Sequence, residues 1–110
     1  MRSLEFLGDS LSVLKQFPES VRKQAGVQLH KVQLGLEPVD WKPMSAVGAG
    51  VREIRIRDEA GAFRVLYVAN LGDAIVVLHA FQKKTQRTAT RDIELAATRL
   101  RQRRGDHYGA

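Results

Sequence analysis

The 110-residue sequence predicts an α+β fold: two N-terminal helices, an antiparallel sheet built round a three-stranded meander, and a C-terminal helix. Three observations predict it. Apolar residues recur at spacings of three and four in the first third and again near the end, the period of a helix with one buried face. Between them, residues 51–81 hold two alternating segments and one nearly all-apolar segment of strand length. Turn-forming residues punctuate those segments. The length suits a single domain over residues 1–110, large enough to bury a modest core without covalent staples.

Leu4 and Phe6 alternate with charge, so residues 2–6 suit a short edge strand. Asp9 or Ser10 can cap a first helix carrying Leu11, Val13, Leu14 and Phe17. Pro18 breaks that pattern and suits the first turn of a second helix, followed by Glu19. Val21, Ala25, Leu29, Val32 and Leu36 form its apolar stripe, and Gly35 is a natural stop. Residues 37–50 read as a connection, with Pro38, Pro43 and the flexible Ala46–Gly50. The only tryptophan, Trp41, is read as a core anchor under this loop rather than a stacking platform. Residues 51–57 alternate, with Arg55 and Arg57 on one side and Ile54 and Ile56 on the other. Residues 58–61 turn, and 63–69 return with Phe63, Val65 and Tyr67 on a shared core face. After a turn at 70–73, residues 74–81 are almost wholly apolar and should form the central, most buried strand. The last helix is expected from about Thr90 to Arg103, with Thr88 or Thr90 as cap and Ile93, Ala96, Ala97 and Leu100 as its stripe. Asp92 and Glu94 suit the positive end of its dipole. The helices are expected on one face of the sheet.

Composition excludes several classes. With no cysteine, neither a disulfide scaffold nor a thiolate metal site is available. The acid-bearing N-terminus lacks the form of a secretory signal, and no apolar run reaches the roughly 18 residues of a spanning helix. A cytoplasmic protein without membrane contact is expected. No grouping of His, Asp and Glu has metal-ligand spacing, and Gly48-Ala49-Gly50 lacks the lysine of a phosphate-binding loop. No metal or cofactor is expected. The formal net charge is +6, and residues 83–104 alone carry an excess of that size. Such a concentration points to a polyanionic partner, an acidic protein or a solvated basic tail.

Five cations can meet on one patch: Arg55 and Arg57 on one strand, Arg64 on the next, and Lys83 and Lys84 where the third leaves the sheet. Guanidinium groups bind phosphate oxygens bidentately and an ammonium adds a point charge, which is how a protein grips an RNA backbone. The same arginines can instead pair with Glu53, Asp58 or Glu59. His79 can serve as an acid or base near neutral pH, or sit as a hydrogen-bonded core histidine. His30 and His107 read as incidental.

Gly50–Arg57, Phe63–Tyr67 and Leu78–Gln86, with Trp41–Met44 and Asp92–Ala96, together resemble the phage-derived branch of the RelE/HigB-like toxins over nearly the whole chain. The resemblance implies a RelE/ParE-like fold and the toxin of a type II toxin–antitoxin pair. It further implies a metal-free endoribonuclease that cuts messenger RNA on the ribosome, through attack of the 2′-hydroxyl on the adjacent phosphate. A cognate antitoxin, expected to be a helix-turn-helix DNA-binding protein, would hold it inactive. The family's basic positions fall on Arg55, Arg64 and Lys84, with Arg64 and Lys84 stabilising phosphate charge. His79 is the candidate base, and a lysine with its pKa lowered by neighbouring cations is the second choice. Arg57, Lys83, Arg87 and Arg91 would hold the RNA strand. The chain departs from RelE at Glu53, where a second lysine is expected, and in having Thr90 and Arg91 rather than a tyrosine shortly after Lys84, with Tyr108 far off. The competing readings are a ParE-like poison of DNA gyrase and a basic binding module without catalysis.

Overall fold

The structure, a computed structural model, describes residues 1–108, with side chains as far as Gly105. The readings of His107 and Tyr108 fall on side chains outside that range. The elements in order are β1 (Ser3–Phe6), α1 (Ser10–Lys15), α2 (Glu19–Gln33), β2 (Trp41–Pro43), β3 (Val51–Asp58), β4 (Gly61–Leu71), β5 (Ala74–Lys83) and α3 (Thr90–Tyr108). The fold is α+β as expected, with the meander β3–β4–β5 at its heart.

The sheet has five strands in the order β1-β5-β4-β3-β2. β1 is the expected edge strand and pairs parallel to β5. β2 lies within the segment read as a connection and pairs antiparallel to β3. Pro43 fits there because an edge strand has one side on which no backbone N–H is needed. β4 is the middle strand, and β5 beside it is buried from Ile75 to Phe81.

The helices cover both faces, not one. Leu14, Phe17, Val21, Ala25, Leu29 and Val32, from α1, α2 and the turn between them, pack on Ile54, Ile56, Phe63, Val65 and Tyr67. On the opposite face Ala96 and Leu100 of α3 pack on Val51, Leu66, Val68, Val76 and Leu78. The cause is visible in β5: a strand apolar on both sides needs two covers. Trp41 joins neither core. It is half-buried on the edge strand, with the Arg52 guanidinium 4.0 Å above its ring, so the edge strand, not a core, holds it. Leu36 is exposed, because Gly35 takes φ +82° and turns the chain off the α2 stripe before it.

α3 is tied down at the C-terminal end of its apolar contact by its own arginines. Arg99 donates to Leu78 O at 2.9 Å and to Asp9 Oδ1 at 2.6 Å, and Arg103 donates to Glu5 Oε2 at 2.6 Å. Asp9 therefore spends its carboxylate on Arg99 and makes no side-chain cap for α1. Arg99 can reach across because residue 8 is glycine: a Cβ there would lie 2.5 Å from the guanidinium. Part of the basic C-terminal charge is thus internal fastening. No helix among the described residues is long and apolar enough to cross a membrane.

The hydrogen bond from Arg99 holds the Asp9 carboxyl below the usual carboxylate range. A depressed carboxylate stabilises the fold above its unfolded pKa and loses that contribution as pH falls through the folded value. Asp9 is largely exposed, so Asp9→Asn should cost less than about 1 kcal/mol at neutral pH. The difference from wild type should vanish in acid. Urea denaturation of both proteins across pH checks this.

Candidate nucleic-acid interface

Strand register sets the site. On the face covered by α3, the side chains of β3, β4 and β5 stand in rows. Glu53, Leu66 and His79 form one row, Arg55, Arg64 and Phe81 the next, and Arg57, Ala62 and Lys83 the last. Neighbouring strands lie about 4.8 Å apart, and successive rows on one face about 6.8 Å. Four of the expected cations, Arg55, Arg57, Arg64 and Lys83, thus share one end of one sheet face. The apolar contacts of α3 begin with Ile93, and its buried stripe lies on rows further along. The cationic end projects beyond that stripe.

One carboxylate organises this end. Glu53 has no exposed surface. Its Oε1 stands 3.4 Å from Arg64 Nε and 3.8 Å from Lys42 Nζ. Its Oε2 accepts a hydrogen bond of 2.8 Å from the Thr88 hydroxyl, which fixes the loop before α3. Thr88 is therefore a tie to the sheet and does not cap α3. Arg64 is 2% exposed and donates from Nη1 to Phe63 O. Burial lowers its pKa, Glu53 opposes that, and Arg55 and Arg57 add to the depression. An arginine so placed stays charged, with Glu53 as its buried counter-ion.

The remaining cations are more open. Arg55 reaches Asp40 only at 4.0 Å, and that aspartate is half exposed. Arg57 is exposed, and neither it nor Lys83 forms an ion pair among the described residues. Asp58, an expected partner, is instead occupied by the Ser20 hydroxyl and the Ala60 N–H. Partial burial and the neighbouring Arg64 guanidinium draw the Lys83 ammonium below the ordinary lysine range, with Lys42 and Arg55 acting in the same direction. Lys83, Lys84, Arg91, Phe81 and Asp92 line a cavity of about 170 Å³ between the end of β5 and the start of α3. Lys84 is held to Gln82 Oε1 at 3.2 Å, and Arg87 is exposed in the intervening loop.

His79 is placed differently from the expected base. Pairing of β4 with β5 shifts from Leu66↔His79 to Tyr67↔Val77, leaving Leu78 as an extra residue. His79 Nε2 lies 2.7 Å from Asp92 Oδ1, its ring stacks on Phe81 at 5.0 Å, and Nδ1 is buried without a partner among the described residues. One nitrogen is taken and the other is sealed, so the ring fastens β5 to α3. Sequence reasoning missed Lys42, the bond from Thr88 to Glu53 and the pairing of Asp92. No local signal marked Lys42, because its neighbours Trp41 and Pro43 carry no period.

Residues 12–101 match the family described as Phage derived protein Gp49-like (DUF891). The chain belongs to this family. The match bears out the resemblance read from the sequence. No curated protein matches this Gp49-like chain. Solved structures that share its fold include two from E. coli. A chain in the intact E. coli RelBE toxin–antitoxin complex is 16% identical with a TM-score of 0.57, the match covering 77% of this chain and 100% of that one. The isolated E. coli RelE toxin is 15% identical with a TM-score of 0.59, covering 78% and 89%.

Removing one member of a buried ion pair strands the other's charge, at a cost of about 3–5 kcal/mol. Glu53→Gln and Arg64→Met should each destabilise the fold by an amount near the low end of that range. The double variant Glu53→Gln, Arg64→Met should recover most of the loss. Urea denaturation of the four proteins checks the cycle.

Proposed function

We propose that this Gp49-like chain is the toxin of a toxin–antitoxin pair, and that it inhibits translation by cutting messenger RNA on the ribosome. The observation that carries the reading is the row arrangement: cations from three adjacent strands gather at a sheet end, on the fold of RelE. An RNA phosphate placed there meets Arg55, Arg57 and Lys83 at the surface and Arg64 below. Lys84, Arg87 and Arg91 border the same end and hold the flanking strand.

Cleavage by the neighbouring 2′-hydroxyl needs a base, a stabilised phosphorane and a proton for the departing 5′-oxygen. Arg55 and Arg57 supply positive charge for the phosphorane. His79 is sealed from substrate, so the base is Lys83, whose lowered pKa raises its unprotonated fraction. Lys84, lining the same cavity, is the proton donor. The products are a 2′,3′-cyclic phosphate and a free 5′-hydroxyl. An antitoxin with an acidic or amphipathic segment suits this face and would block it. A helix-turn-helix DNA-binding protein is the expected carrier of that segment.

One observation favours a second reading. Arg64 and His79 are both held by carboxylates, which suits a module that grips RNA without cutting it. Primer-extension mapping of transcripts after brief induction decides between them. Discrete cuts in translated messages are expected, and Arg57→Ala or Lys83→Ala should reduce cutting by about a hundredfold or more. Intact messages with growth arrest would favour binding alone. Intact messages with DNA-damage signalling would place the target at gyrase.

A further inference from the structure

On the face of the sheet away from the cationic end lies a cavity of about 350 Å³. Arg2, Arg52, Glu37, Tyr67 and Asn70 are its polar lining, and Leu36 contributes an apolar wall. Its size falls in the range of small-molecule sites. Arg52 and Tyr67 are cross-strand partners on β3 and β4, so the sheet fixes both. Arg2 is held at the end of α2 by the Gln33 amide, which donates to Arg2 O at 2.9 Å.

Tyr67 is the unusual member. Its residue has no exposed surface, yet its hydroxyl has no hydrogen-bond partner among the described residues. Buried hydroxyls are nearly always paired, and an unpaired one needs a reason. Burial raises its pKa; the Arg52 side chain opposes this by a hydrogen-bonding approach to the phenol oxygen and by its charge, and Glu37 acts with burial, so what lacks a partner is the O–H proton. Arg52 is only loosely committed: it stacks on Trp41 and stands 3.9 Å from Glu37, which is itself well exposed. An O–H donor beside the Arg52 guanidinium, at a cavity that Arg2 also lines, is a receptor for an acceptor-rich anion.

We propose that this cavity binds a small organic anion, with a carboxylate or phosphate head on Tyr67, Arg52 and Arg2 and an apolar body along Leu36. The head draws Arg52 off Trp41, which opens a path to the buried Tyr67 hydroxyl, and then accepts from both. Because the cavity and the cationic end lie on opposite faces of the sheet, the anion and RNA do not compete for the same groups.

The test titrates the full chain with hexanoate and with hexyl phosphate, and with inorganic phosphate as the probe lacking an apolar body. Trp41 emission reports the departure of Arg52, and the amide signals of Gly35, Gly50 and Asn70 report the cavity. Saturable shifts with one of the hexyl probes are expected, and which probe saturates at lower concentration identifies the head. Tyr67→Phe should weaken binding about fivefold or more, and Arg52→Gln should weaken it further. Tyr67→Phe should also be as stable as wild type or more so without ligand, since it deletes an unpaired buried donor. A destabilised Tyr67→Phe would show that the hydroxyl is structural, and would overturn the proposal. Absence of saturation by both hexyl probes, or equal affinity in Tyr67→Phe, would overturn it as well.

Discussion

Glu53 is a carboxylate with no exposed surface, set against Arg64, Lys42 and Thr88. A buried charge is tolerated only where partners replace its lost hydration, so this residue dictates its surroundings. It draws the Arg64 guanidinium under the sheet surface, brings the edge strand's Lys42 inward, and fixes the loop that leads into α3. One anion thereby organises several cations and leaves the rest uncompensated. The positive field at this end comes from Arg55, Arg57 and Lys83, since Glu53 offsets Arg64 and only Asp40, 4.0 Å from Arg55, faces the others.

The two faces of the sheet divide the work. α1 and α2 cover one face and α3 the other. α3 is narrow in its apolar stripe and depends on Arg99, Arg103 and the His79–Asp92 contact to stay seated. Because α3 begins only at Thr90, the last rows of β3–β5 emerge beyond its stripe. The same loop that delays the helix, residues 84–89, carries Thr88 back to Glu53. The helix start and the open cationic end are therefore consequences of one another.

Much of this was legible in the sequence. The helical stripes, the meander and its alternation followed from side-chain periodicity, which burial enforces directly. β2 escaped because three residues ending in Pro43 carry no periodic signal, and an edge strand needs only one partner. The placement of helices on both faces was present in the unbroken apolar run of β5, but a run alone does not say which element covers which side. At the site, alternation placed Arg55 and Arg57 on one face, and of the five cations expected to meet, Arg55, Arg57, Arg64 and Lys83 share it. The depth of each was not legible, since depth depends on where the neighbouring carboxylates go. Glu53 takes Arg64 inward, and Asp92, which suited a helix dipole, takes His79. A β-bulge at Leu78 turned that histidine toward α3, and no local pattern announces a bulge.

The central claim is that the uncompensated end of the sheet meets RNA phosphates. The affinity of the chain for single-stranded RNA across salt concentrations tests it most directly, because each phosphate contact releases counterions. With three to five contacts, log K against log salt should have a slope of roughly −2 to −3.5, and Arg57→Ala and Lys83→Ala should each lessen it by about 0.7. A slope that both substitutions leave unchanged would contradict the account.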